Sequence, residues 1–284
     1  MGKPLLKWAG GKSRLAVDIC EAFREPCSGT YFEPFVGSAA VFLDRRARRR
    51  IGKAVLSDVN SKLVETHRAV RDDVDGVIRA LERIGTANWR ERYYDVREAY
   101  NTGPWDGPDH AARFIWLNRA CFNGLYRENR HGGFNVPIGS YTRLAIPEPA
   151  QFWEVSRLLQ GVELVAGGFA AVLDRVRPGD QVYCDPPYVP LTATANFTGY
   201  SKEPFGPNEQ MSLAQEAVRI GALGATVVLS NHDTPYVREH LYTDVAGFRV
   251  SRIDVSRAIS RDGASRRPVG EVIAAIGGRR RVAA

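Results

Sequence analysis

"TYFEPFV" (30–36), a lone glycine at 37, "SAAVFLDRRARR" (38–49) and "KAVLSDV" (53–59) decide the fold. The two outer segments are short, rich in aromatic and β-branched residues, and bounded by turn formers, which is how strands read. The middle segment runs apolar and then basic without a breaker, as a helix does. Strand, glycine turn, helix and strand in that order open an α/β unit. Further along, "DQVYCDPPY" (180–188), "ATVVLSN" (225–231) and "EVIAAI" (271–276) are unbroken apolar runs closed by turn residues. Such runs suit buried strands of a mixed or parallel sheet. "QMSLAQEAVRIGALG" (210–224) between two of them reads as a crossover helix.

From about residue 61 the texture changes. "SKLVETHRAVRDDVDGVIRALERI" (61–84) and "WRERYYDVREAY" (89–100) are helical and charge-rich. They lead into "LNRACFNGLYRENRHGGFNVPIGSYTR" (117–143), where basic, aromatic and amide residues interleave. That mixture can touch phosphates, stack on bases and read base edges. The expected organisation is an α/β domain from 1–60 and 151–284, with a mostly helical insertion at 61–150.

The chain has 284 residues, a formal net charge of +7 and a pI near 9.4, a balance that favours an acidic partner such as nucleic acid. No apolar run approaches ~18 residues, so no membrane span is expected. "MGKPLLKWAGGK" lacks the apolar core of a secretory signal, and Leu6 stands where myristoylation after Gly2 needs Ser or Thr. A cytoplasmic protein is expected. Cys20, Cys27, Cys121 and Cys184 form no C-x₂-C pair, which argues against zinc or a disulfide framework.

Three places could carry chemistry. In "YCDPPY", Asp185 follows a buried strand, the end at which open α/β sheets bind ligands. Pro186 and Pro187 lack backbone donors and stiffen the chain. An acid, a rigid carbonyl and the face of Tyr188 together suit the holding of a planar amine. Gly37 lets backbone approach a ligand without a Cβ, and Asp58 at the end of the next strand suits a ribose diol. The run Gly37-Ser38-Ala39-Ala40-Val41-Phe42 is not G-x-G-x-x-G, so a nucleoside without a pyrophosphate fits better. Gly11-Lys12-Ser13 looks like the tail of a triphosphate loop, but that loop needs glycine where Leu6 stands.

The ordered set "KWAGGK", "FEPFVGS", "LSDVN", "FNGLYRENRHGGFNVPIG", "DPPY", "FTGY", "LSNHDT" and "SRAIS" resembles the Dam-type (D12 class, alpha group) DNA adenine-N6 methyltransferases over about residues 4–276. The resemblance implies a Rossmann-like S-adenosylmethionine-dependent methyltransferase sheet with an inserted DNA target-recognition domain. It implies S-adenosylmethionine as cofactor without a metal, double-stranded DNA as substrate, and a monomer. It assigns Trp8, Lys12, Gly37, Asp58 and Asp185 to the cofactor, and Asp185, Pro186, Pro187 and Tyr188 to catalysis. Lys7, Leu125, Arg127, Asn129 and Pro137 align with positions that face DNA in GATC-methylating relatives. Phe122 stands where a residue is wedged into the base stack.

Two positions depart from the family pattern. Ala39 replaces the second glycine of a Gly-x-Gly turn, which strains the chain if φ is positive there and is harmless otherwise. Ser140 stands where relatives often carry arginine. The expected reaction is methylation of a flipped adenine within GATC. The alternatives are a cytosine-N4 methyltransferase and a DNA-binding relative without turnover. His232 reads as a structural hydrogen-bonder, and Arg45–Arg50 as a solvated face.

Overall fold

The computed structural model describes residues 2–190, 205–255 and 269–278. "FTGY" (197–200), "SRAIS" (256–260) and the arginines at 279–281 lie outside the described residues. The described chain is a mixed α/β fold with a seven-stranded sheet. Its strands are β1 (Thr30–Glu33), β2 (Lys53–Asp58), β3 (Glu163–Ala166), β4 (Gln181–Cys184), β5 (Thr226–His232), β6 (Arg249–Val255) and β7 (Val269–Gly277). The order is β3-β2-β1-β4-β5-β7-β6.

β1 and β4 pair in parallel with Tyr31 opposite Gln181, and β4 and β5 in parallel with Cys184 opposite Leu229. β7 runs antiparallel to β5 and β6, setting Glu271 opposite His232. The chain builds outward from β1 to β3, then returns to place β4 on the other side of β1. That reversal is the topological switch point at which open sheets of this kind bind ligands.

Two compact units divide the chain. One comprises Met1–Ala16, Val36–Arg50 and Leu56–Gly168. It holds the helices α2 (Ala40–Ala47), α3 (Ser61–Asp72), α4 (Val74–Ile84), α5 (Trp89–Thr102), α6 (Gly107–Ala120) and α7 (Pro149–Leu159). α6 packs against α3, α4 and α5, with Trp116, Tyr93 and Tyr100 fully buried among them. The helical run expected over 61–84 is two helices. The Asp73 carboxylate caps α4 by accepting from the Gly76 N–H at 2.9 Å, which breaks the run.

The other unit comprises Val17–Phe35, Ile51–Val55 and Phe169–Ala284. It contains most of the sheet, all of α1 (Ala16–Ala22) beyond its first residue, α8 (Phe169–Leu173) and α9 (Pro207–Ala222). Pro207 opens α9, and the Gly206 N–H donates to Glu209 at 2.7 Å. Val227, Val228 and Leu229 of β5 and Val272 to Ala274 of β7 are buried, as their unbroken apolar runs require.

The arginine run at 45–50 is only partly a solvated face. Arg45 is fully buried, Arg46 donates to the Gln160 carbonyl at 3.1 Å, and Arg48 pairs with Asp44 at 2.7 Å. Arg49 and Arg50 are exposed.

Candidate active site

In the first unit the segment at 8–12 is a tight turn. The Gly11 N–H donates to the Trp8 carbonyl at 3.0 Å, Gly10 takes φ +78°, and the Lys12 ammonium donates to the Gly10 carbonyl. Lys12 is buried. The Trp8 ring stacks on Phe114 (centroids 6.5 Å apart) and Tyr126 (6.0 Å). Its edge lies against Gly37: a Cβ on Gly37, whose φ is +47°, would sit 2.8 Å from the indole. Only glycine therefore satisfies both the turn and the tryptophan.

Gly37 is also tied to Asp58. Its N–H donates to Asp58 Oδ2 at 3.1 Å, and the Asn60 N–H donates to Oδ1 at 3.0 Å. Burial raises the Asp58 carboxyl above its ordinary value, against the lowering effect of these N–H bonds. A carboxylate offers about four lone-pair sites, so these backbone bonds leave capacity for a further donor. Behind the turn, His67 Nε2–H donates to the Gly37 carbonyl at 2.9 Å, and burial lowers the His67 pKa. Ala39 takes φ +60° as the residue before α2. The strained arm of the expectation thus holds, at a cost of about 1–2 kcal/mol.

In the second unit Asp185 stands directly after β4. Ser230 Oγ lies 2.7 Å from Asp185 Oδ1 and 2.9 Å from the Tyr183 hydroxyl. An ionised carboxylate only accepts, so Ser230 donates to Asp185 and receives from Tyr183. Burial, and then the Asp185 charge, raise the Tyr183 hydroxyl well above its ordinary value and keep it a donor. The Pro187 carbonyl accepts from Gln210 Nε2 at 2.6 Å, and the Tyr188 hydroxyl donates to Glu271 Oε2 at 2.8 Å.

His232 Nδ1–H donates to the Val189 carbonyl at 2.7 Å, and its ring stands edge-on to Tyr188 at 4.8 Å. Its geometry is that of a structural hydrogen-bonder. Sequence reasoning missed Ser230, Gln210 and Glu271 as the frame of the tetrapeptide. It also missed a half-buried trio, Phe35, Phe169 and Phe205, with centroids 5.6–5.9 Å apart. Aromatic faces of that kind can pack on a planar ring.

Back in the first unit, residues 121–139 form an irregular hairpin. Cys121 bridges Ile138, Glu128 bridges Phe134, and the Phe122 N–H donates to the Pro137 carbonyl at 2.9 Å. Phe122, Arg127, Asn129 and Pro137 are exposed on it, and Leu125 is half-buried. Arg127 Nε donates to Asn135 Oδ1 at 2.7 Å, and Nη2 to the Asn135 carbonyl at 3.2 Å. Lys7 joins this group: its N–H and carbonyl are both held by the Asn118 side chain, at 2.8 and 2.7 Å. The Lys7 ammonium lies 4.0 Å from the Tyr141 ring centre, and burial, then Arg119, lower its pKa. Lys7, Phe122, Leu125, Arg127, Asn129 and Pro137 thus all belong to one unit. Among the described residues no three His, Cys, Asp or Glu side chains gather as a metal site, and no helix is long and apolar enough to cross a membrane.

The family profile of the D12 class N6 adenine-specific DNA methyltransferases matches residues 8–259. The type II methyltransferase M.MjaIII of Methanocaldococcus jannaschii is 35% identical over 278 residues, covering 93% of this chain and 95% of that protein. A DNA adenine methylase of Salmonella typhi is 37% identical over 274 residues, covering 96% and 94%. One of Haemophilus influenzae is 37% identical over 284 residues, covering 98% and 95%.

Proposed function

The chain belongs to the D12 class N6 adenine-specific DNA methyltransferases, and from that premise we propose that it methylates N6 of an adenine flipped out of duplex DNA, within GATC. The observation that carries the chemistry is the framed tetrapeptide, with Asp185 oriented by Ser230 and Tyr188 anchored on Glu271. GATC rests on the alignment of Lys7, Leu125, Arg127, Asn129 and Pro137 with DNA-facing positions of GATC-methylating relatives. Residues 1–60 and 151–284 form the catalytic part in this reading, and 61–150 the recognition part.

The residues present fit S-adenosylmethionine. Gly37 leaves a cradle that a Cβ would fill, beside the Trp8 ring, and Asp58 offers a carboxylate for the ribose. In this reading Trp8, Lys12, Gly37, Asp58 and Asp185 would hold the cofactor. When bound, the cofactor supplies an electrophilic methyl on a sulfonium.

The rest is the work of the chain. Adenine N6 is a poor nucleophile because its lone pair is delocalised into the ring. The Asp185 carboxylate and the Pro186 carbonyl each accept one N6 hydrogen, which favours a more tetrahedral nitrogen with its lone pair directed outward. Tyr188 stacks on the base and recovers part of the unstacking cost. As positive charge develops on nitrogen, Asp185 stabilises it from a fixed position. Pro186 and Pro187 keep that geometry rigid. Phe122 wedges into the vacated stack. Arg127 supplies donors for guanine and Leu125 an apolar contact for a thymine methyl. The protein acts as a monomer in this scheme.

The test is methyl transfer from radiolabelled S-adenosylmethionine to unmethylated plasmid, followed by digestion with GATC-cutting enzymes of differing methyl sensitivity. Label in N6-methyladenine with GATC protected is the expected result. Label in N6-methyladenine with GATC still cut by a methyl-blocked enzyme would overturn the site assignment.

A further inference from the structure

We propose that Lys62 is a positioning residue for target recognition, docking the tip of the 121–139 hairpin from behind so that Arg127 and Asn129 are presented in a fixed register. The inference rests on the reading that this hairpin faces DNA. Lys62 lies on α3, far in sequence from the hairpin, and is only 5% exposed. Its ammonium donates to Glu128 Oε1 at 2.8 Å and to the Gly132 carbonyl at 2.5 Å. Glu128 and Gly132 flank the tip on opposite sides of Asn129, whose own backbone closes the turn through Gly132 and Gly133. One cation therefore pins both arms of the tip.

The surroundings hold that cation in place. The Trp105 ring centre lies 3.9 Å from the ammonium and shields it from water. Glu128 Oε1 also accepts from the Tyr126 hydroxyl at 2.5 Å, so the acceptor is itself fixed. The Lys62 carbonyl accepts from Thr66 Oγ at 2.8 Å and from His110 Nε2 at 3.0 Å, which anchors the residue at its other end. Three further bonds hold the hairpin from α5: Tyr93 donates to the Val136 carbonyl at 2.9 Å, and Asn101 exchanges two bonds with Phe134. These clamp the returning arm, whereas Lys62 alone of these groups reaches the turn that carries Asn129.

The experiment compares Lys62→Met with Arg127→Ala. Methionine keeps the apolar stem and removes the donors. The readouts are cofactor affinity by calorimetry and the ratio of methylation rates on the preferred duplex and on duplexes with one altered base pair. For Lys62→Met, cofactor affinity should stay within about twofold, while the ratio falls on the order of tenfold, the scale of a single lost base contact. Glu128→Gln, which keeps an acceptor for the ammonium, should fall between wild type and Lys62→Met. If Arg127→Ala loses discrimination and Lys62→Met keeps it, the positioning role is overturned. If Arg127→Ala itself keeps discrimination, the recognition reading fails, and the role of Lys62 with it. Should Lys62→Met lose cofactor binding through misfolding, Glu128→Leu decides from the more exposed side, and unaltered discrimination there overturns the proposal.

Discussion

The Ser230 hydroxyl donates to Asp185 Oδ1 across 2.7 Å, linking β5 to the residue after β4. The bond has a fixed direction, because the carboxylate cannot donate and the Tyr183 hydroxyl completes the chain behind it. It orients the Asp185 carboxylate through Oδ1.

Ser230→Ala therefore removes the orienting bond without changing volume greatly. A hydrogen bond to a charged group contributes about 1.5–3 kcal/mol, so kcat is expected to fall about tenfold to a hundredfold. The cofactor Kd should change by less, because Trp8, Lys12, Gly37 and Asp58 also hold the cofactor in this reading. Single-turnover methylation and calorimetry check the two numbers separately. Wild-type kcat in the variant would show that Asp185 needs no such support.

The turn before α2 carries positive φ at Gly37 and at Ala39. Gly37→Ala meets both left-handed strain and the Trp8 indole, and should weaken cofactor binding by tenfold or more, on the order of 1–3 kcal/mol. Ala39→Gly relieves strain of about 1–2 kcal/mol and incurs the entropy of glycine, about 0.5–1 kcal/mol. Its stability should match or exceed the wild type by up to about 1.5 kcal/mol. Ala40→Gly, one residue on and inside α2, should lose about 0.5–1 kcal/mol. Chemical denaturation compares the two, and equal losses would contradict the strain at Ala39.

Stability should decline with acidification. His67 and His110 are buried and their pKa values lie below the ordinary 6.5. Below about pH 6.5 the unfolded chain binds protons that the folded chain refuses, so stability is complete above that value and falls until the lowered folded values are reached. Denaturation midpoints at pH 7.5 and 5.5 measure this, and His67→Gln with His110→Gln should flatten the difference. An equally steep decline in the double variant would place the effect elsewhere.

Asn135 takes two donors of Arg127, on its Nε and Nη2. Asn135→Ala removes the side-chain acceptor of Nε and keeps the carbonyl that takes Nη2, so the guanidinium is held by one bond and not two. It should relax preference at one base pair while leaving the reaction on flipped, single-stranded adenine unchanged. A competition assay over all substitutions of the site would reveal it. Unchanged preference at every position would remove Asn135 from the recognition account.

Much of the sheet was legible because β2, β4, β5 and β7 are apolar runs ended by Asp, Asn or Gly. β3 is four residues long and β6, RVSRIDV, mixes charged and apolar residues, so neither stands out from loop. The break between α3 and α4 was hidden because charge-rich helical texture continues through "RDDVDG", and only the Asp73 cap ends it. Asp58 and Asp185 were visible from their places at strand ends. Ser230 and Glu271 were not, since their partners lie across strands and register is a tertiary property. The aromatic trio joins residues 35, 169 and 205, a proximity no local pattern encodes.

The most direct test of the central claim is Asp185→Ala assayed for methyl transfer to duplex DNA, with DNA binding followed in parallel by fluorescence anisotropy. The account predicts no incorporated label above background and a DNA Kd within a few-fold of wild type. Methylation at the wild-type rate in that variant would contradict it.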